Sequence, residues 1–210
     1  GAILGDRVRM HDLAGDPGIF IRSMASRGSL GGLAAATSDV VKLVDAAGYE
    51  RILIETVGAG QTEVEIARQA HTTVVVEAPG LGDDIQAIKA GILEIADVLV
   101  VNKADRDGAD ATATMLEMML SLGNAGMARL LHEGCLADIV CPPDLEAHPG
   151  WTPPIVKTSS LTGAGVEALL DEIERHRDYL RESSRLAQRE RLKAANEIEQ
   201  ILRQDLLRGL

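Results

Sequence analysis

The chain has 210 residues, enough for one domain with an appendage, and its 46% hydrophobic content supports a sizeable core that is almost wholly aliphatic, because aromatics make up only 2%. A net charge of −11 with no basic block argues against nucleic acid as a partner. Two cysteines are too few for a disulfide framework and suit a reducing, cytoplasmic setting, and there is no signal peptide and no apolar run long enough to span a bilayer.

In chain order, Gly1–Met10 reads as a loop in which Asp6 follows a glycine and precedes Arg7 and Arg9. Gly18–Met24, with Ile19, Phe20 and Ile21, reads as a short strand, and Ser26–Gly32 as a polar, glycine-rich loop. A helix is expected from about Leu33 to Ala47, with Val40, Val41 and Val44 at helical spacing and Gly48 as its stop. Ile52, Leu53 and Ile54 form a run too short and too β-branched for a helix, and it reads as a buried strand of a parallel sheet. That strand ends on Glu55, followed by a glycine-rich turn with Gly58, Gly60 and Gln61.

Glu63–Ala70 reads as a short helix and Thr72–Ala78 as a second buried strand, which runs into the turn Pro79–Asp84. The helix Ile85–Ala96 places Ile85, Ile88, Ile92 and Ile95 on one face. Asp97–Val101 is a third strand, with Asn102-Lys103-Ala104-Asp105 at its carboxyl end. A Met-rich helix is expected over Ala109–Leu122, then an irregular insertion over Gly123–Gly150. Pro154–Thr158 reads as a fourth strand leading into Ser159-Ser160-Leu161, and helices follow over Val166–Leu180 and Ser184–Leu207. Strands alternating with helices imply an α/β, doubly wound parallel sheet, in which ligands bind beyond the carboxyl ends of the strands. The Glu55, Asp105 and Ser160 segments all lie at such ends.

Two of these ends carry chemistry. An acid at the end of a buried strand, three residues before a glycine, is the layout of a nucleotide-triphosphate switch. The Glu55 carboxylate can hold Mg²⁺, and Gly58, without a side chain, lets its N–H approach a phosphate. By itself this pattern reads better as an ordinary strand-ending turn. Asn102-Lys103-Ala104-Asp105 is more specific. Guanine offers two adjacent donors, a ring N–H and an exocyclic amine, and one carboxylate, Asp105, can accept both. Adenine has no such pair. Lys103 can lay its stem over the base, Asn102 can tie the loop together, and backbone N–H groups of the Ser159–Leu161 loop can donate to the guanine O6.

The segments GAILGDRVRM (1–10), FIRSMASRGSLGG (20–32), ILIETVGAGQTE (52–63), PGLGDDIQAIKAGILEIAD (79–97), NKAD (102–105) and WTPPIVKTSSLTGAGV (151–166) resemble the MeaB/ArgK family of P-loop GTPases, chaperones of adenosylcobalamin-dependent methylmalonyl-CoA mutase. The resemblance implies a P-loop NTPase-like sheet and a GTPase that uses GTP/GDP and Mg²⁺ to gate cofactor loading of that mutase or a related acyl-CoA mutase. It places Asp6 in the first switch, near Mg²⁺ and the γ-phosphate. Glu55 stands for the usual Asp of the Mg²⁺-linked motif, Gly58 is that motif's glycine, and Gly60 and Gln61 belong to the second switch. Pro79–Lys89 matches a third switch. Asn102, Lys103 and Asp105 read guanine, and Ser159, Ser160 and Leu161 close over it. Residues 1–182 are then a partial G domain and 183–210 a helical arm for homodimer formation.

The family's GxxxxGK[ST] phosphate loop has no counterpart in these residues, so the expectation is of a larger GTPase cut at its N-terminus and in its arm, with the 210-residue piece binding GTP poorly. Two other readings stay open: a non-catalytic scaffold presenting partner and dimer surfaces, and a nickel-insertion GTPase. The latter needs a metal cluster, for which His132, Cys135, Cys141 and His148 are the candidates, at spacings matching no common pattern.

Overall fold

The computed structural model describes residues 10–13, 15–24, 30–56, 67, 69–80, 95–121 and 150–208. The chain divides into two compact units, one of Gly1–Gln69 with Ala194–Leu210, the other of Ala70–Lys193.

The second unit holds three parallel strands in sequence order, β1 (Val74–Glu77), β2 (Val98–Val101) and β3 (Ile155–Lys157). Val74 pairs with Val98 and Glu77 with Val101, while Leu99 pairs with Ile155 and Val101 with Lys157. The run Val-Leu-Val-Val makes β2 the central strand, because every residue of it is apolar and can be covered on either face. Alternation then splits it. Val98 and Val100 pack with Val74, Val156 and Leu169. Leu99 and Val101 pack with Ala96, Ala109, Leu116 and Met119. Helix α2 (Ala109–Ser121) supplies the second face and α3 (Val166–Glu182) reaches the first through Leu169, so helices lie on both faces of a parallel sheet, as the strand–helix alternation predicts. Leu116 is 1% exposed, so Leu116→Ala leaves a cavity and is expected to lower unfolding free energy by about 3 kcal/mol, read from a shift of the denaturation midpoint.

The amino end of β2 is polar. Asp97 is fully buried and accepts the Thr73 N–H at 2.8 Å. Arg189, on α4 (Arg185–Arg208), donates to both carboxylate oxygens at 3.0 and 3.3 Å. The buried His176 of α3 sits with Nε2 3.2 Å from Asp97 Oδ1, and its Nδ1 is 2.9 Å from the Thr72 hydroxyl. Trp151 donates its indole N–H to the Asp97 carbonyl at 2.8 Å, and its ring lies 4.8 Å from His176 and 5.3 Å from Tyr179. The expected third strand therefore begins one residue late, and Asp97 is a buried anchor for α3 and α4 instead.

In the first unit α1 spans Leu30–Ala46 and stops where expected, with Gly48 in the left-handed region (φ 90) and the Tyr49 N–H returning to the Val44 carbonyl at 3.3 Å. Its start lies three residues before the expected one. Lys42 pairs with Glu197 of α4, and Phe20 lies 6.3 Å from Tyr49, ring to ring. Two expected strands are not formed. Residues 18–24 and 51–56 are irregular, with Phe20 54% and Leu53 94% exposed. An apolar run becomes a buried strand only where a neighbour completes its ladder, and neither segment is a strand of the sheet among the described residues. The expected helix over Ile85–Ala96 up to residue 94, most of the one over Glu63–Ala70, and the 123–150 insertion up to residue 149 lie outside the described residues, and Ile95 and Ala96 are buried but not helical.

Candidate functional site

The carboxyl ends of β2 and β3 build one site. The Asn102 N–H continues the ladder to the Glu77 carbonyl at 2.7 Å. The chain then turns at Lys103, which takes a left-handed conformation (φ 57), with the Arg106 N–H closing onto the Lys103 carbonyl at 3.0 Å. Such a φ is unusual for a residue with a side chain. From β3, Thr158 clamps this turn on two sides: its N–H donates to the Val101 carbonyl and its carbonyl accepts the Ala104 N–H, both at 2.9 Å.

Asn102 is the knot between the two loops. Its Oδ1 accepts the Thr158 hydroxyl at 3.3 Å, the Ser160 N–H at 3.2 Å and the Ser160 hydroxyl at 3.0 Å. Ser159, 2% exposed, donates its hydroxyl to Asp105 Oδ1 at 2.5 Å. The loop after β3 is closed on itself, with the Ser159 N–H on the Ala164 carbonyl at 2.9 Å and the Gly163 N–H on the Ser159 carbonyl at 2.8 Å. Lys103, Asp105, Ser160 and Leu161 face solvent, Leu161 with 86% of its surface free. An exposed leucine beside an anchored carboxylate can cover a flat aromatic ligand.

Electrostatics keep the carboxylate charged. The Ser159 hydroxyl, then the Asp105 backbone N–H and the nearby Arg106, hold the Asp105 carboxyl below its ordinary value. A depressed pKa means that the ionised form is present above the ordinary carboxylate range and is lost only as pH falls through the lowered value. Binding of a ligand that donates to Asp105 is therefore expected to be flat between about pH 5 and 8. An affinity measured across that window that declines steadily below neutrality contradicts this. Glu77, at the end of β1, is pushed the other way by burial.

Thus Asn102, Asp105, Ser159 and Ser160 are brought together, with Lys103 and Leu161 on the same two loops. Glu55 is exposed and belongs to the other unit. Asp6, Gly58 and Gln61 lie outside the described residues, as do His132, Cys135, Cys141 and His148. Among the described residues no group of three or more His, Cys, Asp or Glu could hold a metal ion. Two contributors go beyond the motif. Thr158 was read only as a strand end. Gly165 is the N-cap of α3 in a left-handed conformation (φ 76).

The arrangement can accept a planar ligand with adjacent donors. A family model described as methylmalonyl-CoA mutase-associated GTPase MeaB matches residues 1–210. A Pyrococcus horikoshii protein, named provisionally as a GTPase, is 47% identical over 202 residues, covering 96% of this chain and 58% of its own length. Escherichia coli GTPase ArgK is 35% identical over 188 residues, 90% of this chain and 51% of that protein. The mouse mitochondrial methylmalonic aciduria type A homolog is 31% identical over 188 residues, 89% of this chain and 41% of that protein. A crystal structure titled LAO/AO transport system kinase matches with a TM-score of 0.66 and 26% identity, over 95% of this chain and 56% of that one. The chain thus spans little more than half the length of the first curated relatives it matches. It belongs to the MeaB family of methylmalonyl-CoA mutase-associated GTPases.

Proposed function

We propose that these 210 residues carry the base-recognition half of a guanine-nucleotide site, and that the full-length protein binds GTP and GDP with Mg²⁺ and hydrolyses GTP. The observation that carries this is the anchored Asp105 carboxylate, held by Ser159 beside an Asn102 that ties both loops together. One Asp105 oxygen has a protein donor, and the carboxylate keeps acceptor capacity for the two guanine donors. The residues fit the base. For the phosphates and Mg²⁺ the chain's candidates are Asp6, Glu55, Gly58 and Gln61, and the 210 residues contain no GxxxxGK[ST]. Asp6 and Glu55 would hold Mg²⁺, which would supply neutralisation of the charge developing on the phosphates.

Hydrolysis would gate cofactor loading of an adenosylcobalamin-dependent methylmalonyl-CoA mutase or related acyl-CoA mutase in the cytoplasm. The family description and the name of the mouse relative support that partner. Residues 183–210 would serve as a homodimer arm, which the exposed Ile198, Ile201 and Leu202 of α4 favour by falling at i, i+3 and i+4. Among the described residues no helix is long and apolar enough to cross a membrane.

The test is GTP turnover by the full-length protein, alone and with purified mutase. Turnover accelerated by the mutase, and a complex that changes with GDP or GTP, supports the reading. Tight nucleotide-independent binding without turnover favours the scaffold alternative.

A further inference from the structure

Gly165 joins the guanine loop to helix α3, and it does so through a contact that no other residue type could make. A β-carbon built on it would overlap the Lys157 carbonyl oxygen outright and stand 3.2 Å from the Thr158 Cα. The obstacle is backbone, so it cannot swing aside as a side-chain tip could. The φ of 76 adds strain for any residue with a β-carbon. Lys157 is held on the sheet side, where it pairs with Val101 and the following Thr158 N–H donates to the Val101 carbonyl. An added methyl would therefore displace the loop rather than the strand.

The displacement has a short route to the carboxylate. Gly163 and Ala164, immediately before Gly165, hold both peptide groups of Ser159, its carbonyl at 2.8 Å and its N–H at 2.9 Å. Ser159 in turn donates to Asp105. We propose that Gly165 is a positioning residue for guanine recognition: its missing side chain seats the 159–165 loop on the Lys157–Thr158 backbone and thereby fixes Ser159 and the Asp105 carboxylate. This rests on the guanine reading above and adds a determinant outside the recognition motif. The ligand is a guanine nucleotide, and the group discriminated is its exocyclic amine, one of the two donors that Asp105 accepts.

The amine provides the test. Inosine diphosphate lacks it and is otherwise the same ligand. GDP and IDP are titrated by calorimetry into the full-length protein and its Gly165→Ala variant, with melting temperature as a check on folding. The expected result is that Gly165→Ala weakens GDP more than IDP, so that the GDP/IDP affinity ratio falls by about tenfold. A purely structural glycine would reduce the binding-competent fraction equally for both, and an unchanged ratio overturns the proposal. Should Gly165→Ala fail to fold, Ser159→Ala cuts the link through which Gly165 is argued to act, the hydroxyl that anchors Asp105. A GDP/IDP ratio lowered by Ser159→Ala supports the proposal, and an unmoved ratio overturns it. A wild-type protein that binds ADP as well as GDP would fail the guanine reading itself, a result distinct from either.

Discussion

Replacing Asp105 by asparagine in the full-length protein is expected to weaken GDP binding by roughly a thousand-fold and to make xanthosine diphosphate the better ligand. The carboxylate is anchored by Ser159 and carries no donor of its own, so it complements a base that offers two N–H groups side by side. An asparagine offers one acceptor and one donor. It keeps the ring N–H but sets its own N–H₂ against the guanine amine, donor facing donor. Xanthine carries a carbonyl where guanine carries the amine, so the same asparagine meets an acceptor and the pairing is restored. The effect is one of complementarity rather than of lost charge alone, and the reversal of preference separates it from simple unfolding. Competition of GDP and XDP against a fluorescent nucleotide reads both arms. GDP affinity within about threefold of wild type, on either side, would remove Asp105 from base recognition, since a lost complementary hydrogen-bonding site is worth far more.

The largest stability effect is expected at the other end of the same strand. Asp97 is fully buried, and its two oxygens receive the Thr73 N–H and both arms of the Arg189 guanidinium. Asp97→Ala leaves Arg189, whose side chain is 18% exposed, without its carboxylate, and the loss is expected to be about 3–5 kcal/mol in unfolding free energy. The Trp151 indole reaches the Asp97 backbone carbonyl, a bond the substitution does not delete, so the loss belongs to the carboxylate. Arg189→Met should be similarly damaging, because it takes the guanidinium from a fully buried carboxylate that keeps the Thr73 N–H and His176 beside it. The double variant should lose clearly less than the sum of the two, since the charge each single variant leaves behind is then gone. Urea denaturation of the three variants checks this. Additive losses, or an Asp97→Ala loss below about 1 kcal/mol, would mean that the cluster is not an interdependent unit.

What the sequence made legible follows from where its signals are local. Val98–Val101 could be read as a central strand because four apolar residues in a row tolerate burial on both faces, and Asn102–Asp105 directly after it placed the site at a carboxyl end. Gly48 ended its helix as read, since a left-handed cap needs no distant partner. Ile52–Ile54 misled for the opposite reason: a strand is a relation between segments, and Leu53 stays 94% exposed in a segment that is not a strand of the sheet among the described residues. Phe20 was read as a strand residue and instead stands beside Tyr49 in an irregular segment. The Asp97 cluster was invisible because Arg189 lies 92 residues away on a helix that read as a homodimer arm. Trp151 stands three residues before the Pro154–Thr158 segment in the sequence, and its packing against His176 and Tyr179 needed the fold to be seen. Gly165 carried a sequence signal, a glycine directly before an amphipathic helix, but its meaning depends on the Lys157 carbonyl lying beneath it.

The central claim is that the ends of β2 and β3 read a guanine base. Calorimetric titration of the full-length protein with GDP and with ADP, in Mg²⁺, tests it most directly. The account predicts that GDP binds at least about a thousand-fold more tightly than ADP, because adenine leaves the anchored Asp105 carboxylate unpaired. Equal affinity for the two, or a preference for ADP, would contradict it.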